Sequence, residues 1–168
     1  CPNEHDLIME FMSFWTKNYP DVITGWNTDF FDIPYLANRI KQVCGEDKMR
    51  ELSPWKNVSA RKIYSMGRNH LMYDIMGVSQ YDYLQLYQKF TYTRQESYKL
   101  DYIASVELGE KKDENPYETF REWYEKDFQS FIDYNIQDVE IVDKLEDKMG
   151  LIDLALTMAY EGKVNYSD

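Results

Sequence analysis

One acidic side chain, Asp138, stands where the sequence pattern otherwise calls for apolar residues. Residues 130–149 have helical periodicity, and at about 100° per residue Asp138 falls within the apolar stripe, one turn after Tyr134. A carboxylate that faces a core costs free energy unless a partner or a metal ion compensates its charge. Asp138 is therefore either a metal ligand or a structural acid that bonds a buried backbone group or pairs with Arg39 or Arg61.

For Tyr134 the structural alternative is a core tyrosine with its hydroxyl at the edge. The apolar face consists of Phe128, Phe131, Ile132, Val139, Ile141, Val142, Leu145 and Met149.

A second acid, Asp32, follows a β-rich run and comes just before a helix. Residues 22–26 predict a buried strand, residues 27–31 a tight loop, and Pro34 the first turn of a helix. The carboxyl ends of strands are where α/β folds place functional groups. Asp32 is therefore a candidate functional carboxylate. The alternative is helix capping, because Asp is favoured near the N-cap and beside the positive end of the helix dipole, and Asp29 is a rival for either role.

The order of the predicted elements indicates a layered α/β architecture. A first helix is predicted at residues 4–18 with Asn3 as its N-cap, and the Pro34 helix ends at Gly45. A β-hairpin is predicted around Gly67, because the residues beside it suit a turn between two strand-like segments. Interspersed strands and helices pack in layers. The hairpin strands are predicted at residues 58–64 and 70–78, later helices at 82–89, 98–106 and 117–149, a surface loop at 107–116 and a further apolar stretch at 151–160.

Composition limits the class of protein and the way it could bind nucleic acid. With 168 residues, 43% apolar and 16% aromatic, the chain is long enough to bury a core. It contains no apolar run of the roughly 18 to 20 residues that a membrane span needs, and we expect a cytoplasmic protein whose two cysteines, Cys1 and Cys44, are reduced. A net charge of −11 argues against binding DNA by phosphate neutralisation alone. A nucleic-acid substrate would need metal ions, aromatic stacking or basic surface outside this chain.

Two segments taken together resemble a pair of motifs of one enzyme family. Residues 27–32, Asn-Thr-Asp-Phe-Phe-Asp, and residues 134–138, Tyr-Asn-Ile-Gln-Asp, are similar to the second and third exonuclease motifs of family B DNA polymerases. Each motif is short, and it is their order and the residues between them that make the resemblance specific. It covers essentially the whole chain and points to the T-even-type bacteriophage members. The residues that share it include Gly25-Trp26-Asn27, Phe31-Asp32-Ile33-Pro34-Tyr35, Leu52-Ser53-Pro54, Asp82-Tyr83, Leu86-Tyr87, Lys89-Phe90, Ser97-Tyr98 and Leu100-Asp101-Tyr102-Ile103.

The resemblance implies a fold and a reaction. The fold would be RNase-H-like (DnaQ-like), a mixed sheet flanked by helices, with a β-hairpin near Gly67 that in phage relatives helps to move the primer strand; the alternative is a plain surface hairpin. The reaction would be 3′-to-5′ proofreading of single-stranded DNA, in which four carboxylates hold two divalent ions, Mg²⁺ or Mn²⁺. The implied partners are the 3′ end of single-stranded DNA, the remainder of the polymerase chain and, through it, the sliding clamp. The implied location is the bacterial host cytoplasm.

The resemblance also implies roles for individual residues. Asp32 and Asp138 match metal ligands, and Tyr134 matches a tyrosine that orients the attacking water. Asn27 and Phe31 match residues that contact DNA near the primer terminus. An active-site lysine follows the residue pair 107–108, and counting favours Lys112, with Lys111 as the alternative.

The first motif of the family, Asp-x-Glu, is expected upstream of residue 1. The Asp-x-Glu in this chain is Asp138-Val139-Glu140, which already belongs to the third motif and has Glu140 on the solvent face. We therefore expect residues 1–150 to be a partial exonuclease domain, residues 151–168 to begin the connection toward the polymerase domain, and the isolated chain to be inactive or nearly so. The alternatives are a fragment of a free-standing DnaQ-like exonuclease and a non-catalytic module that stacks on single-stranded bases.

Overall fold

The computed structural model describes residues 1–65, 67–110 and 116–165. They belong to two units, which we call the N-terminal unit, Cys1–Gln85 with the chain from Lys163 onward, and the C-terminal unit, Leu86–Gly162. Helices alternate with short strands, so the mixed α/β class is confirmed. The RNase-H-like arrangement and the domain boundary at residue 150 stay predictions.

Three helices of the N-terminal unit begin and end where local chemistry directs them. The first, α1 (Glu4–Lys17), starts at Asn3, whose side chain accepts a hydrogen bond from the Asp6 amide, as predicted. After strand β1 (Val22–Gly25) comes α2 (Asp32–Cys44), which begins two residues before Pro34. Gly45 ends α2 at a φ of 92°, a value that glycine adopts without strain, and α3 (Glu46–Arg50) follows directly.

The four strands in the described part of the chain form two separate pairs. Strands β2 (Val58–Ser65) and β3 (Arg68–Ile75) are antiparallel and confirm the predicted hairpin. The fourth strand, β4 (Ser79–Asp82), was not predicted; it pairs in parallel with β1, with Gly25 opposite Asp82. The sequence pattern missed β4 because its four residues, Ser-Gln-Tyr-Asp, lack the alternation or apolar run that marks a strand. Parallel pairing brings the carboxyl ends of β1 and β4 to the same edge.

One cluster of apolar side chains fills the centre of the N-terminal unit. It joins α1 and α2 to the hairpin, and a tryptophan at its margin, Trp15, donates its indole N–H to the Leu52 carbonyl over 2.8 Å. The buried members of the cluster are Ile8, Met12, Ile33, Ala37, Ile40, Met49, Leu52, Tyr73, Ile75 and Val78.

The C-terminal unit is helical, and its longest predicted helix is interrupted. Helix α4 (Tyr83–Phe90) spans the division between the units, and α5 (Leu100–Leu108) ends at Gly109. Residues 117–149 were predicted to be helical, and two helices that are separated at Asp127, α6 (Phe120–Lys126) and α7 (Phe128–Met149), occupy most of this range. The side chain of Asp127 caps α7 by accepting a hydrogen bond from the Ser130 amide, which stabilises a new helix start. The last helix is α8 (Leu151–Gly162). No helix in the described ranges is long and apolar enough to cross a membrane.

The apolar face predicted for α7 is buried only in its second half. Ile141, Val142 and Leu145 are buried, whereas Val139 is 70% exposed and Phe128 is 54% exposed, so their placement on the buried face was wrong. Aromatic side chains of α6 instead pack against the start of α7. The rings in mutual contact are Tyr117, Phe120, Trp123, Tyr124, Phe128, Phe131 and Tyr134.

Candidate functional site

The second exonuclease motif lies in the loop between β1 and α2, at the edge where β1 and β4 both end. The loop turns sharply because Asn27 adopts a left-handed backbone conformation with a φ of 65°. Gly25 is needed just before this turn, since a Cβ atom there would lie 2.6 Å from the Cγ2 of Thr28. Below the turn, the Thr24 hydroxyl donates to the Tyr81 carbonyl over 2.7 Å and joins the strands a second time.

Asp82, at the end of β4, binds the backbone of this loop. Its Oδ1 accepts the Asn27 N–H at 2.9 Å and the Leu84 N–H at 3.0 Å, and its Oδ2 accepts the Asp29 N–H at 3.3 Å. Asp82 is not among the site residues predicted from the sequence. A signal was present, because Asp two residues before an amide at a helix start is a capping pattern, and Leu84 is that amide. The bonds to the loop could not be read from sequence.

Asp29, the rival of Asp32, is a buried acid. Its Oδ2 accepts a hydrogen bond from the Gln85 side-chain amide at 2.8 Å, and no residue of the described segments donates to its buried Oδ1. Burial, and next the negative charge of Asp82, raises the pKa of Asp29 to about 6. A buried carboxylate is a poor candidate for a metal ligand that must be accessible to substrate. Asp29 is therefore a structural residue of the loop.

Asp32 is exposed at the first position of α2. The N-cap of α2 is Phe31, which makes no side-chain capping bond, so the structure does not show Asp32 or Asp29 as the capping residue. Although Asp32 as a whole is exposed, partial burial of its carboxyl group raises the pKa of Asp32; a hydrogen bond to its own backbone amide opposes this rise, and the negative charge of Asp82 adds to it. An exposed carboxyl whose charge is penalised is suited to a bound cation, which would compensate that charge.

The two candidate DNA contacts of this loop differ in exposure. Asn27 is partly buried by the turn that it forms, whereas Phe31 leaves 65% of its side chain exposed beside Asp32. An exposed phenylalanine ring offers a face on which a base can stack. Their roles toward DNA stay predictions.

Asp138 and Tyr134 lie on α7 in the C-terminal unit. Asp138 is partly buried, and its Oδ1 is fully buried. The arginines considered as its partners form other ion pairs, Arg39 with Glu4 and Arg61 with Asp74. This observation weakens the interpretation of Asp138 as half of a structural ion pair with either arginine.

The ring of Tyr134 packs as the structural alternative predicts. Its centroid lies 4.8 Å from that of Trp123 and 6.1 Å from that of Phe120. Packing of the ring fixes where the hydroxyl can reach and is compatible with a role in orienting water. The catalytic role of Tyr134 stays a prediction.

Within the part of the chain that the structure describes, no group of three or more His, Cys, Asp or Glu side chains could hold a metal ion. The donors present nevertheless suit Mg²⁺ or Mn²⁺ in kind, because carboxylate oxygens are the ligands that these hard cations prefer. Asp32 and Asp138 thus fit such ions chemically as partial ligand sets, one in each unit.

The candidate lysines, Lys112 and Lys111, lie outside the described residues. The segment that leads to them is bound to α7, because Lys144 donates to both carboxylate oxygens of Glu110, at 3.0 and 2.7 Å. Which lysine acts, if either does, stays a prediction.

Several known DNA polymerases are similar to this chain. Residues 1–103 match the family model described as DNA polymerase family B, exonuclease domain. The chain is 40% identical to the DNA-directed DNA polymerases of Escherichia phage RB69 and Enterobacteria phage T4, over 96% and 98% of its length. It is 35% identical, over 66% of its length, to the DNA polymerase delta catalytic subunit of Candida albicans. The chain spans 18% of each phage polymerase. The chain therefore belongs to the exonuclease domain of family B DNA polymerases.

Proposed function

We propose that this chain is part of the 3′-to-5′ proofreading exonuclease of a viral replicative DNA polymerase. The reaction is hydrolysis of the 3′-terminal phosphodiester of single-stranded DNA, which releases a nucleoside monophosphate. The observation that supports it most is the exposed Asp32 carboxyl, whose charge is penalised, at the strand edge in a chain 40% identical to phage polymerases. The same similarity favours a polymerase fragment over a free-standing exonuclease.

Asp32 and Asp138 are proposed to supply two of the carboxylates that hold divalent ions. Such ions, when bound, lower the pKa of the attacking water and stabilise the leaving 3′ oxygen. The protein's contribution is placement: β1 and the loop after it present Asp32, and the buried half of α7 holds Asp138. Two carboxylates are an incomplete set for such a centre, and we expect the 168-residue chain alone to hydrolyse DNA slowly or not at all.

The other site residues are proposed to bind and orient the substrate. Tyr134, fixed by its aromatic neighbours, orients the attacking water through its hydroxyl. Asn27 and Phe31 hold the terminal nucleotide, Phe31 by stacking and Asn27 by hydrogen bonding. Lys112, or in its place Lys111, is proposed to supply a positive charge to the phosphate.

The hairpin is proposed to contact the DNA strand. The chain has no Asp or Glu between Glu51 and Asp74, a stretch that contains the exposed Lys62 and Arg68 and also Arg61, whose charge is paired with Asp74. Positive charge concentrated on one element of a chain with a net charge of −11 is suited to phosphate contacts. The remainder of the polymerase chain and the sliding clamp are proposed as further partners of the whole protein.

The deciding experiment uses the longest natural chain that contains this sequence. Asp32→Ala and Asp138→Ala should each lower the rate of 3′-terminal hydrolysis of a single-stranded oligonucleotide by more than about 100-fold, because direct ligands matter more than their supports, whose loss costs about 10- to 100-fold. The matched controls are Asp47→Ala, an exposed acid in the first turn of α3, and Asp143→Ala, an exposed acid on α7. Both should leave the rate unchanged.

A manganese titration separates this proposal from a stacking module. Proofreading predicts that Mn²⁺ broadens the NMR signals of Asp32 and Asp138 in the 168-residue chain. A module that only stacks on bases would bind single-stranded DNA equally with and without metal, and Asp138→Ala would not change that binding. Full hydrolysis by the Asp32→Ala chain would refute the proposed function.

A further inference from the structure

The side chain of Asp82 is 3% exposed and cannot meet substrate, yet it contacts the loop that presents Asp32. We infer that Asp82 is a positioning residue for the second exonuclease motif. Its carboxylate fixes the backbone at Asn27 and Asp29 and thereby sets where Asp32 lies. The inference rests on the proposed function for what Asp32 does once it is in place.

The loop before Asp32 contains a backbone conformation that a hydrogen bond can stabilise. Asn27 has a φ of 65°, a left-handed conformation that asparagine tolerates better than most residues other than glycine but that still costs some free energy. Asp82 accepts the N–H of Asn27 itself at 2.9 Å. A hydrogen bond to a carboxylate is stronger than one to a neutral acceptor, so this contact stabilises the turn at its strained residue.

Two backbone hydrogen bonds connect the turn to the start of α2, where Asp32 lies. The Asn27 carbonyl accepts the Phe31 N–H at 3.1 Å, and the Thr28 carbonyl accepts the Ile33 N–H at 3.0 Å. These two bonds lie on either side of Asp32 in the chain. A shift of the backbone at residues 27–29 therefore moves the first turn of α2 and Asp32 with it.

Neighbouring groups hold Asp82 itself in place. Strand pairing places it opposite Gly25, and the Leu84 N–H donates to its Oδ1 at the start of α4. The Gln85 amide lies 2.8 Å from Asp29 Oδ2 and 3.5 Å from Asp82 Oδ2, so it bridges the two acids. Of the three hydrogen bonds that Asp82 accepts from the backbone at Asn27, Asp29 and Leu84, only the one from Leu84 caps α4. The other two bind the loop and do not contribute to α4.

The test replaces Asp82 by Asn in the complete 168-residue chain. Asn has the shape of Asp and keeps one acceptor oxygen, but its NH₂ group cannot accept the second loop amide. We expect hydrogen exchange at the Asp29 amide, which loses its acceptor oxygen, to quicken by about tenfold or more, and exchange at the Asn27 amide, which keeps a neutral acceptor, to quicken by less. Mn²⁺ affinity, measured by broadening of the Asp32 signal, should fall about 10- to 100-fold, as for other groups that support a metal ligand.

The matched control is Asn3→Ala, which removes the N-cap bond of α1 to the Asp6 amide and touches no part of the loop. It should destabilise α1 and leave exchange at Asn27 and Mn²⁺ affinity unchanged. If Asp82→Asn does not fold, Gln85→Met serves in its place and should quicken exchange at Asp29 in the same direction.

Two outcomes overturn the inference without touching the proposed function. One is a folded Asp82→Asn chain with wild-type exchange at Asn27 and Asp29. The other is a mobile loop with wild-type Mn²⁺ affinity at Asp32, which would limit Asp82 to a structural role. Failure of the proposed function has a different signature, because Asp32→Ala would then leave hydrolysis intact while the exchange result for Asp82→Asn still stood.

Discussion

Replacing Asp29 by Asn should make the protein more stable at neutral pH and remove part of its pH dependence. The folded pKa of Asp29 is about 6, against an ordinary value of 3.8, and burial is the main cause. A shift of about 2 units corresponds to at most about 3 kcal/mol at about 1.36 kcal/mol per unit. Asn keeps the carbonyl oxygen that the Gln85 amide needs, and the Asp29 backbone N–H that binds Asp82 is unchanged.

The sign follows from proton binding. Because the folded pKa of Asp29 is raised, the folded state binds the proton more tightly than the unfolded state does. The stability that Asp29 contributes is therefore fully present below pH 3.8 and is lost as pH rises toward and through 6. The Asp29→Asn chain has no such group, so its free energy of unfolding relative to the wild type should rise by up to about 3 kcal/mol between about pH 4 and about pH 8.

Two measurements check this prediction. Urea denaturation of both chains across the pH range, followed by tryptophan fluorescence, gives the difference in the free energy of unfolding. The carboxyl carbon of Asp29, followed by NMR, should titrate with a midpoint near 6. Asp143→Asn, at an exposed acid on α7, is the control and should change neither the difference nor its pH dependence. A midpoint at or below about 4 for Asp29, with parallel pH profiles for both chains, would refute the reasoning.

Three further substitutions test the packing around the loop, the hairpin and the aromatic cluster. Gly25→Ala should lower stability by about 1 to 3 kcal/mol, because its Cβ would lie 2.6 Å from Thr28 Cγ2. Adding Thr28→Ser should restore part of this stability, as measured by thermal denaturation. If stability does not recover, the predicted clash is contradicted. Trp123→Ala removes a side chain that is 2% exposed, so it should lower the free energy of unfolding by about 3 to 5 kcal/mol and shift the NMR signals of the neighbouring aromatic rings. A loss below about 1 kcal/mol would mean that the aromatic cluster is not packed as described. Ser53→Ala should lower the free energy of unfolding by about 1 to 3 kcal/mol, since the buried Ser53 hydroxyl donates to the Met76 carbonyl at 2.6 Å. Faster hydrogen exchange at the hairpin base should accompany this loss. An unchanged denaturation midpoint would argue against that bond.

Local chemistry explains which elements could be predicted. The start of α1 at Asn3 and the end of α2 at Gly45 depend on residues adjacent to the helix ends, so the sequence specifies them. The hairpin around Gly67 is likewise specified by a turn between neighbouring segments. Pattern failed where an element depends on distant partners. Strand β4 exists because β1 pairs with it, and nothing within its own four residues indicates a strand.

The same distinction applies to α6 and α7. Periodicity predicted helical structure over residues 117–149 but did not locate the break at Asp127, whose cap starts a new helix at Phe128. A helical wheel assumes that one face is buried along its full length. Val139 is exposed because burial depends on which neighbours cover each turn, and this is a property of the tertiary structure.

For the candidate site, the sequence by itself determined which residues to examine. The two short motifs, in their order and context, identified Asp32, Asp138, Tyr134, Asn27 and Phe31, because side-chain chemistry and spacing are written in the chain. Only the tertiary structure decided that Asp29 is buried, that Asp32 is exposed, and that Asp82 accepts hydrogen bonds from the backbone of Asn27 and Asp29. Asp82 lies 55 residues from Asn27 along the chain. The parallel pairing of β1 with β4 brings them together, and no local pattern encodes a contact of that length.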